Sequence, residues 1–417
     1  ILSLKGRADM PRILVVSQHY WPENFRVTDL CEGFVSRGVE VDVLCGLPNY
    51  PLGNWFPGYS YTGPRRETHN GVQLIRAGEI PRKGNSGPMI FLNYVSWPLL
   101  ALFSLPRLKG KYDAVLCYNT SPVLMSFPAI LYAKLHRVPL TNYVLDIWPE
   151  NLYSVLNIQS RPLRAIAQAV SNWHYPRADR LIAMSGSLRR RLAQVGKKPE
   201  EEIAVIPQYC EDFYARPADP SALQKELGEA FWLVFTGNFS PAQSLETVIR
   251  AVCIARQQGL ANLRLLLVGD GMSRPALEKL VQEEGAGDFI TFYGSVPPTR
   301  IPEFCALASG LVCPLSDSPD LGMTVPAKLA SYMASGRPVL ASITGEGAKA
   351  VENAQCGYAS PACNAEALAE NIVRLCHVPE EERRQMGENA RRWYREHYRR
   401  DRLLEQLLRF TLEGRIG

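Results

Sequence analysis

The sequence predicts two doubly wound α/β domains, and three observations lead to this fold class. The first is length, because 417 residues exceed what one ordinary hydrophobic core holds. The second is that short, nearly continuous apolar runs alternate with helical segments, which is the pattern of parallel sheets covered on both faces. The third is that this alternation stops at a polar, proline-bearing stretch after Pro207 and then starts again.

The first domain is predicted over residues 10–208. Its strands are expected in seven apolar runs and its helices in three longer segments. The strand segments are PRILVVSQ, VEVDVLCGLP, VQLIRA, DAVLCYN, PLTNYVLDI, DRLIAMS and EIAVIPQ; the helical segments are VTDLCEGFVSRG, SPVLMSFPAILYAKLHR and RPLRAIAQAVSNWHYPRA. Residues 1–9 precede Met10 and are interpreted as an upstream segment outside this domain.

The second domain is predicted over residues 209–378. Its strand segments are FWLVFTGN, LRLLLVGDG, DFITFYGS, SGLVCPL and RPVLASI, and its helices include LETVIRAVCIARQQG and RPALEKLVQEEG. Residues 379–417 are densely charged and are predicted to be helical. Because ligands of doubly wound sheets bind outside the carboxyl ends of the strands, two facing domains are expected to hold their ligands in an interdomain cleft.

The composition is that of an ordinary globular protein, with 46% hydrophobic and 21% charged residues. A net charge of +5 suits an enzyme that handles anions or lies near an anionic membrane, and equally a protein with no special partner. The arginine runs at 189–191 and 391–400 are interpreted as helix faces, so nucleic-acid binding is not predicted. The ten cysteines include no CxxC pair, which indicates a reducing cytosol.

Several chemistries lack their motifs. The six histidines are scattered without metal-ligand spacing, so no metal site and no cofactor are predicted. No Ser/His/Asp or Cys/His set is visible. Neither domain's first strand is followed by G-x-G-x-x-G, and no phosphate-binding Walker loop is present, which argues against a dinucleotide dehydrogenase.

An uncharged segment, Gly84–Pro106, separates Lys83 from Arg107. Its length allows a tilted membrane span, but its polar residues and central Pro98 argue against a simple one. Its aromatic residues and the basic residues after it suit an interfacial helix. Three interpretations remain open from sequence: a buried core helix, a helix docked on the membrane surface, and a transmembrane helix.

Functional residues are expected where strands end. Gly237 follows the first strand of the second domain, just before a helix whose amino end favours an anion. Asn119 and Thr120 close a strand of the first domain, and Asp146 closes the next. A carboxylate beside an aromatic residue is suited to binding a sugar hydroxyl. Taken one at a time, a tight turn or a helix cap explains each of these residues equally well.

The motifs in combination point to a family. PENFR, SP after the fourth strand, DIWPE, TGNFSPAQ, and PAKLASYMASGRPVLAS followed by GEG resemble family-four retaining glycosyltransferases of the GT-B fold. The likeness is closer to the branch that builds bacterial O-antigen and capsule repeat units, including N-acetyl-L-fucosaminyl transferases. The resemblance implies a nucleotide-diphosphate sugar bound by the second domain, an acceptor bound by the first, and a final helix, residues 379–417, that crosses back to the first domain.

The sequence departs from this family at two positions that usually carry an Arg and a Lys. Here they correspond to Asn238 and Gln243, which are uncharged. The resemblance therefore implies that the diphosphate is bound by amides near Gly237 and by another cation. Lys328 is the first choice for that cation, and Arg26 is the second.

The family's two glutamates, separated by seven residues, are also replaced. Their positions correspond to Met323 and Ser331. A hydroxyl can bond a ribose, although without the bidentate grip of a carboxylate. The branch resembled here commonly has Ser-Tyr at this place, and Glu346 in GEG is a candidate for a nearby carboxylate.

The predicted site combines the strand ends with the positions that match the family's motifs. The predicted catalytic residues are Asp146 and Lys328. The predicted donor-binding residues are Gly237, Asn238, Gln243, Gly269, Asp270, Pro326, Ser331, Tyr332 and Glu346. The predicted acceptor-side residues are Glu23, Asn24, Arg26, Asn119, Thr120 and Glu150.

The predicted function is a retaining, metal-independent glycosyltransferase. It would move a sugar from a nucleotide-diphosphate sugar, a UDP-sugar by expectation and an N-acetylated deoxyhexose among the candidates, to a lipid-diphosphate-linked saccharide in surface polysaccharide assembly. Its expected location is the cytoplasm, peripherally associated with the inner membrane through Gly84–Pro106. The alternatives are a nucleotide-sugar epimerase or hydrolase on the same fold, and a non-catalytic subunit that binds a sugar nucleotide.

Overall fold

A computed structural model describes residues 10–51, 53–150, 152–153 and 160–415 of the protein. The chain divides into two compact units. Unit 1 holds the described residues up to Ile206 together with Asp401 and those after it, and unit 2 runs from Pro207 to Arg400. The division predicted from sequence lies at residues 208 and 378. The structure thus assigns the first part of the charged C-terminal segment to unit 2.

Unit 1 is an α/β unit in which helices alternate with short apolar strands. Its strands are β1 (Arg12–Val16), β2 (Glu40–Cys45), β3 (Arg66–His69), β4 (Val72–Arg76), β5 (Ala114–Asn119), β6 (Leu140–Val144), β7 (Arg180–Ala183) and β8 (Ala204–Val205). Its helices before residue 207 include α1 (Val27–Val35), α2 (Gly87–Leu102), α3 (Ser126–His136), α4 (Arg161–His174) and α5 (Gly186–Gly196).

The strands of unit 1 form one sheet in the order β3-β4-β2-β1-β5-β6-β7-β8. All neighbours pair in parallel except β3 and β4, which form an antiparallel edge. The predicted parallel sheet is thereby confirmed. Strand β3 was not predicted, because its sequence RETH has no apolar residue to mark it.

Unit 2 repeats the alternation. Its strands are β9 (Phe231–Thr236), β10 (Leu263–Val268), β11 (Ile290–Gly294), β12 (Gly310–Pro314), β13 (Val339–Ser342) and β14 (Gly357–Ser360). Its helices include α6 (Ser221–Leu227), α7 (Leu245–Gln257), α8 (Arg274–Glu283), α9 (Ile301–Leu307), α10 (Pro319–Gly322), α11 (Ala327–Ser335), α12 (Glu346–Ala354), α13 (Ala365–His377) and α14 (Glu380–His397).

The sheet of unit 2 is parallel throughout, in the order β11-β10-β9-β12-β13-β14. Separate hydrophobic clusters cover its two faces: Leu233 and Phe235 point into one, and Trp232 and Val234 into the other. This alternation makes the strands apolar on both sides, which is what the sequence showed. Strand β14 was missed because GYAS carries little apolar character.

The C-terminal segment forms two helices rather than one. Helix α14 ends at His397 and the last helix, α15 (Arg400–Glu413), follows directly. The Cys210 amide donates to Tyr398 O at 3.4 Å, so the junction still belongs to unit 2. Within unit 1, Arg180 donates to Thr411 O at 2.5 Å, which fastens α15 beside β7.

Helix α2 occupies most of the uncharged Gly84–Pro106 segment and is apolar on both its buried and its exposed side. Tyr94 and Trp97 are buried, whereas Leu99 is 50% and Phe103, just past the helix, 75% exposed. The helix is therefore not wholly inside the core. Among the described residues, we find no helix with both the length and the apolar character needed to span a bilayer.

Candidate functional site

The strand order of each unit marks where a ligand fits best. In unit 2 the chain passes from β9 to β10 and β11 on one side, then returns to place β12 on the other side of β9. The loops after β9 and β12 therefore diverge and leave a crevice at their carboxyl ends. In unit 1 the corresponding crevice lies between β1 and β5. Both crevices contain residues predicted from the sequence.

A close backbone approach shapes the crevice of unit 2. Gly237, directly after β9, has a φ of 142°, which L side chains rarely adopt. Its amide donates to Val268 O at 2.9 Å. A Cβ added at Gly269, after β10, would overlap the carbonyl oxygen of Gly237. Glycine at 269 is thus required for the two loops to pack backbone against backbone, and the positive φ at 237 favours glycine there.

Lys328 places its ammonium in the same crevice. It is the second residue of α11, is half-buried overall, and its Nζ donates to Gln243 Oε1 at 2.5 Å. The Nζ also lies 3.8 Å from the centre of the Phe235 ring, and a Cβ at Gly237 would come within 2.9 Å of it. Burial lowers the pKa of Lys328 to about 8. The structure thus brings together Gly237, Gln243 and Lys328, three residues singled out from sequence.

Other residues of α11 pack against the end of β9 and so hold the crevice in place. The Tyr332 hydroxyl is fully buried and accepts a hydrogen bond from the Thr236 amide at 2.9 Å, which fixes the end of β9. Ser331 is only 5% exposed, and its nearest partner is Ala327 O at 3.5 Å. Pro326 precedes the helix and packs on Gly347 of α12. In this structure, Tyr332 and Ser331 face the protein interior rather than open solvent.

The remaining predicted donor residues lie at the rim of the crevice. Asn238 is exposed next to Gly271. Asp270 accepts hydrogen bonds from the Gly271 amide at 2.7 Å and from Arg274 at 3.2 Å, so it organises its own loop. Glu346 begins α12 after β13, is half-buried, and lies 3.6 Å from the ammonium of Lys349.

Unit 1 has buried polar atoms without partners at its own crevice. Asn119 ends β5, is 1% exposed, and has no hydrogen-bond partner for either amide atom among the described residues. The Thr120 hydroxyl and Gln18 Oε1 are likewise buried and unpartnered within the described part of the chain. Unsatisfied buried groups are costly and therefore rare. Their clustering at the β1/β5 crevice points to a polar ligand or water there.

A buried hydrogen-bond network lies beside them. Glu23 accepts from the amides of Asn49 at 2.6 Å and Tyr50 at 2.7 Å, and its other oxygen lies 2.8 Å from His19 Nδ1. His19 Nε2 lies 3.3 Å from the guanidinium of Arg82. Burial lowers the pKa of His19. A neutral imidazole that donates to Glu23 and accepts from Arg82 satisfies both contacts.

The charge state of Glu23 follows from these partners. Burial opposes its ionisation, but His19 and the two backbone amides outweigh burial and lower the pKa of this carboxyl. Glu79 is different: burial and the charge of Glu23 raise its pKa to about 8. Glu79 accepts from Gln18 at 2.6 Å and from Asn93 at 2.8 Å. One carboxylate and one carboxylic acid therefore share the network near pH 7.

Sequence reasoning found Glu23 but missed its partners. Gln18 and His19 lie in the loop that follows β1, and Glu79 and Arg82 lie in the segment that follows β4. The signal in the sequence was a cluster of polar residues after two apolar strands. Strand β4 pairs in parallel with β2, so the second pair emerges at the same edge of the sheet as the first.

The other predicted residues of unit 1 differ in their burial and in their partners. Asp146, after β6, is half-buried, and its charge contributes to the raised pKa of Tyr50. Glu150 is paired with Arg191 of α5 at 2.5 Å. Asn24 is exposed. Arg26 is half-buried at the start of α1.

The described residues also bear on metal binding. Among them, no group of three or more His, Cys, Asp or Glu side chains is arranged to hold a metal ion. The charged group that the structure does place in the unit 2 crevice is the lysine ammonium.

Comparison with solved structures identifies the fold as GT-B, the two-domain architecture of many glycosyltransferases. Sucrose-phosphate synthase from Thermosynechococcus elongatus superposes with a TM-score of 0.76 at 20% identity, covering 96% of this chain and 98% of that one. An Anabaena protein solved with UDP-glucose gives 0.70 at 17% identity, covering 97% of this chain and all of the other.

Sequence comparison then assigns a family to each part. Residues 24–208 match the glycosyl transferase 4-like domain, and residues 221–393 match glycosyl transferases group 1. Among curated proteins, the D-inositol 3-phosphate glycosyltransferase of Nocardia farcinica is 32% identical over 190 residues, which is 43% of this chain and 41% of that protein. The chain spans about half the length of the first curated relatives that it matches.

Proposed function

We propose that the protein is a glycosyltransferase that uses a nucleotide-diphosphate sugar. The observation that carries this proposal is the position of Lys328, whose ammonium lies against Gly237 at the crevice of unit 2. A cation, a close backbone and the amino end of a helix together suit a diphosphate. The names of the relatives and the UDP-glucose complex of the Anabaena protein support the same donor class.

The proposed reaction is transfer with retention and without a metal ion. The bond between the anomeric carbon and the diphosphate oxygen breaks, the acceptor hydroxyl oxygen bonds to that carbon, and its proton passes to the departing diphosphate. Lys328 stabilises the negative charge that develops on the leaving group. Because Gln243 and Phe235 hold the ammonium before the donor binds, little reorganisation is required. Arg26 is kept as the second candidate cation.

The acceptor is proposed to bind at the crevice of unit 1. Asn119 and Thr120 offer buried amide and hydroxyl groups that lack partners among the described residues, and sugar hydroxyls can supply those partners. Asp146 is proposed to accept a hydrogen bond from one such hydroxyl. The network of Glu23 and His19 holds the neighbouring loops in place.

The acceptor is further proposed to be linked to a lipid, in surface polysaccharide assembly at the inner face of the cytoplasmic membrane. Helix α2 exposes apolar side chains, and α4 exposes Leu163, Ile166 and Trp173. The groove bordered by Leu99 of α2 and Trp173 of α4 makes these surfaces continuous. A continuous exposed apolar surface with arginines and lysines nearby is typical of membrane-surface binding.

A transfer assay tests the activity. Purified full-length protein is incubated with a panel of labelled nucleotide sugars and a lipid-diphosphate-linked saccharide in vesicles, and products are separated by chromatography. Transfer to the lipid-linked acceptor, with loss in Lys328→Ala and Asp146→Ala, is expected. Free sugar or an epimerised donor formed without acceptor would instead indicate a hydrolase or epimerase. Nucleotide binding without any turnover would indicate a binding subunit.

Vesicle sedimentation tests the membrane surface separately. The variant Phe103→Ser/Leu99→Ser removes two of the most exposed apolar side chains from this surface. It is expected to bind anionic vesicles more weakly than the wild type while keeping its thermal unfolding midpoint. Met272→Ser in unit 2, which removes a side chain that is 76% exposed, is the matched control and should bind as the wild type does. Equal binding by all three proteins would contradict the proposal.

A further inference from the structure

Unit 2 has a second polar cavity at the opposite edge of its sheet. The cavity measures about 620 Å³ and is lined by the loops that precede β12 and β13, by the chain around Arg216, and by one face of α14. The candidate donor crevice, with Gly237 and Lys328, lies at the carboxyl edge, where ligands of such sheets are expected. The cavity at the amino edge is therefore a separate feature that the proposed function does not use.

Its lining is strongly basic. Glu380 and Glu388 are its two carboxylates, and Glu388 accepts from Arg384 at 2.5 Å. Arg384 also forms an ion pair with Glu381. Within the described part of the chain, the other lining arginines form no ion pair. The five lining arginines are Arg216, Arg337, Arg383, Arg384 and Arg391.

Close packing of two helices places two of the arginines side by side. Helix α11 ends at Ser335 and is followed by Gly336, whose φ is 71°. A Cβ added at Gly387 of α14 would overlap Gly336 O, and one added at Gly336 would overlap the guanidinium of Arg391. Arg391 lies one turn after Gly387 and donates to Ser335 O at 3.0 Å. Arg337 follows Gly336 directly, and Arg337 and Arg391 both line the cavity.

Each of these arginines uses part of its hydrogen-bonding capacity on a carbonyl. Arg391 donates to Ser335 O, and Arg337 donates to Ala306 O. Capping the carboxyl end of a helix explains one such contact. It does not explain why two like charges line one cavity with few carboxylates. Their proximity is unfavourable: burial and the charge of Arg391 lower the pKa of Arg337. A guanidinium has five N–H groups, and most remain available here.

We propose that this cavity binds an anion of the phosphate type, carrying two or more negative charges. The guanidinium groups of Arg337 and Arg391 suit a phosphate or diphosphate, because each can donate two parallel hydrogen bonds to a pair of its oxygens. The volume exceeds that of one phosphate group and accommodates a larger phosphorylated compound. The anion can come from a soluble compound or from the headgroup of an anionic lipid.

Calorimetric titration with pyrophosphate tests the proposal in a Lys328→Ala background, which weakens the donor crevice. We expect measurable binding in this background and at least a tenfold weaker Kd once Arg337→Gln/Arg391→Gln is added. Arg264→Gln is the matched control, because Arg264 also donates to one carbonyl, Asp288 O at 3.2 Å, but lies outside the cavity. Arg337→Lys/Arg391→Lys, which keeps the charge without the forks, is expected to bind with intermediate strength.

Sedimentation with phosphatidylglycerol and phosphatidylcholine vesicles distinguishes the two sources. Arginine-dependent binding of pyrophosphate alone indicates a soluble anion, and arginine-dependent binding of phosphatidylglycerol vesicles indicates a lipid headgroup. Thermal unfolding midpoints are measured for every variant, and the lysine variant serves where the glutamine variant does not fold. The proposal is overturned if neither ligand depends on Arg337 and Arg391, or if Arg264→Gln weakens binding equally.

Discussion

The crevices of the two units are built from different kinds of groups. In unit 2, glycines let two loops pack closely, and the Lys328 ammonium lies beside them in contact with the Gln243 side-chain amide and the Phe235 ring. In unit 1, a hydrogen-bond network lies beside the crevice, and the side-chain amide of Asn119 has no partner among the described residues. The first arrangement suits a ligand of fixed charge such as a diphosphate. The second suits a ligand recognised through its hydroxyl groups.

This comparison predicts the largest effect at Lys328. Lys328→Ala is expected to lower kcat by roughly 100- to 1000-fold, because it removes the charge proposed to stabilise the leaving diphosphate. The measurement is initial-rate kinetics with the donor identified by the panel. Lys279→Ala removes an exposed lysine of the same unit and should leave the rate unchanged. If Lys328→Ala lowers the rate by less than threefold, another group stabilises the leaving diphosphate, and Arg26 is the next candidate.

A smaller effect is predicted where the backbone approaches Lys328. Gly237→Ala places a methyl group within 2.9 Å of the ammonium and strains a residue with a φ of 142°. The value of kcat is expected to fall by about 10- to 100-fold, since misplacement of a positioned group by an ångström lowers reaction rates by amounts of this size. Gly259→Ala is the matched control, because its φ is 93° but nothing lies within 4 Å of its added Cβ. Equal losses in the two variants would attribute the effect to backbone strain alone.

The pH dependence of donor affinity above pH 7 tests whether the charge of Lys328 contributes to binding. Burial lowers the pKa of Lys328 to about 8, so the ammonium is present below this pH and is lost as the pH rises through it. Affinity for a nucleoside diphosphate is expected to fall by about tenfold between pH 7.5 and 9.5, as a loss of roughly 1.4 kcal/mol of attraction implies. Lys328→Arg stays charged and should remove this dependence. A fall of the same size in both proteins would show that another group titrates.

The two crevices also differ in how far the sequence predicts them. Gly237 could be predicted because it follows an apolar strand, and Gln243 and Lys328 because they lie in motifs that resemble those of the family. Their contact could not, since Gln243 and Lys328 are 85 residues apart and meet only when β12 returns beside β9. The positions of most strands and their parallel pairing followed from apolar runs, whereas the polar edge strand β3 gave no such signal. The order of the strands within each sheet was not predicted. Glu23 was predicted as an acceptor-side residue, but its enclosure by His19 and two amides depends on tertiary packing.

The smallest expected effect concerns stability at the crevice of unit 1. The pKa of Glu79 is raised from 4.5 to about 8 by burial and by the charge of Glu23, so the folded state binds a proton that the unfolded state has released. Its contribution to stability is fully present below pH 4.5 and is lost as the pH rises to about 8. Glu79→Gln is neutral at every pH and keeps an oxygen that can accept from Gln18 and Asn93.

This variant should therefore lose less stability than the wild type between pH 5 and 8. At pH 8 its unfolding midpoint is expected to be higher by about 2–4 °C for each kcal/mol gained. Glu32→Gln, a partly exposed glutamate of α1, is the control and should follow the wild-type profile. If Glu79→Gln unfolds at the same temperature as the wild type at both pH values, Glu79 is ionised in the folded protein. The network of unit 1 would then hold two carboxylates, and Glu79 would have no proton to donate to a hydroxyl-bearing ligand.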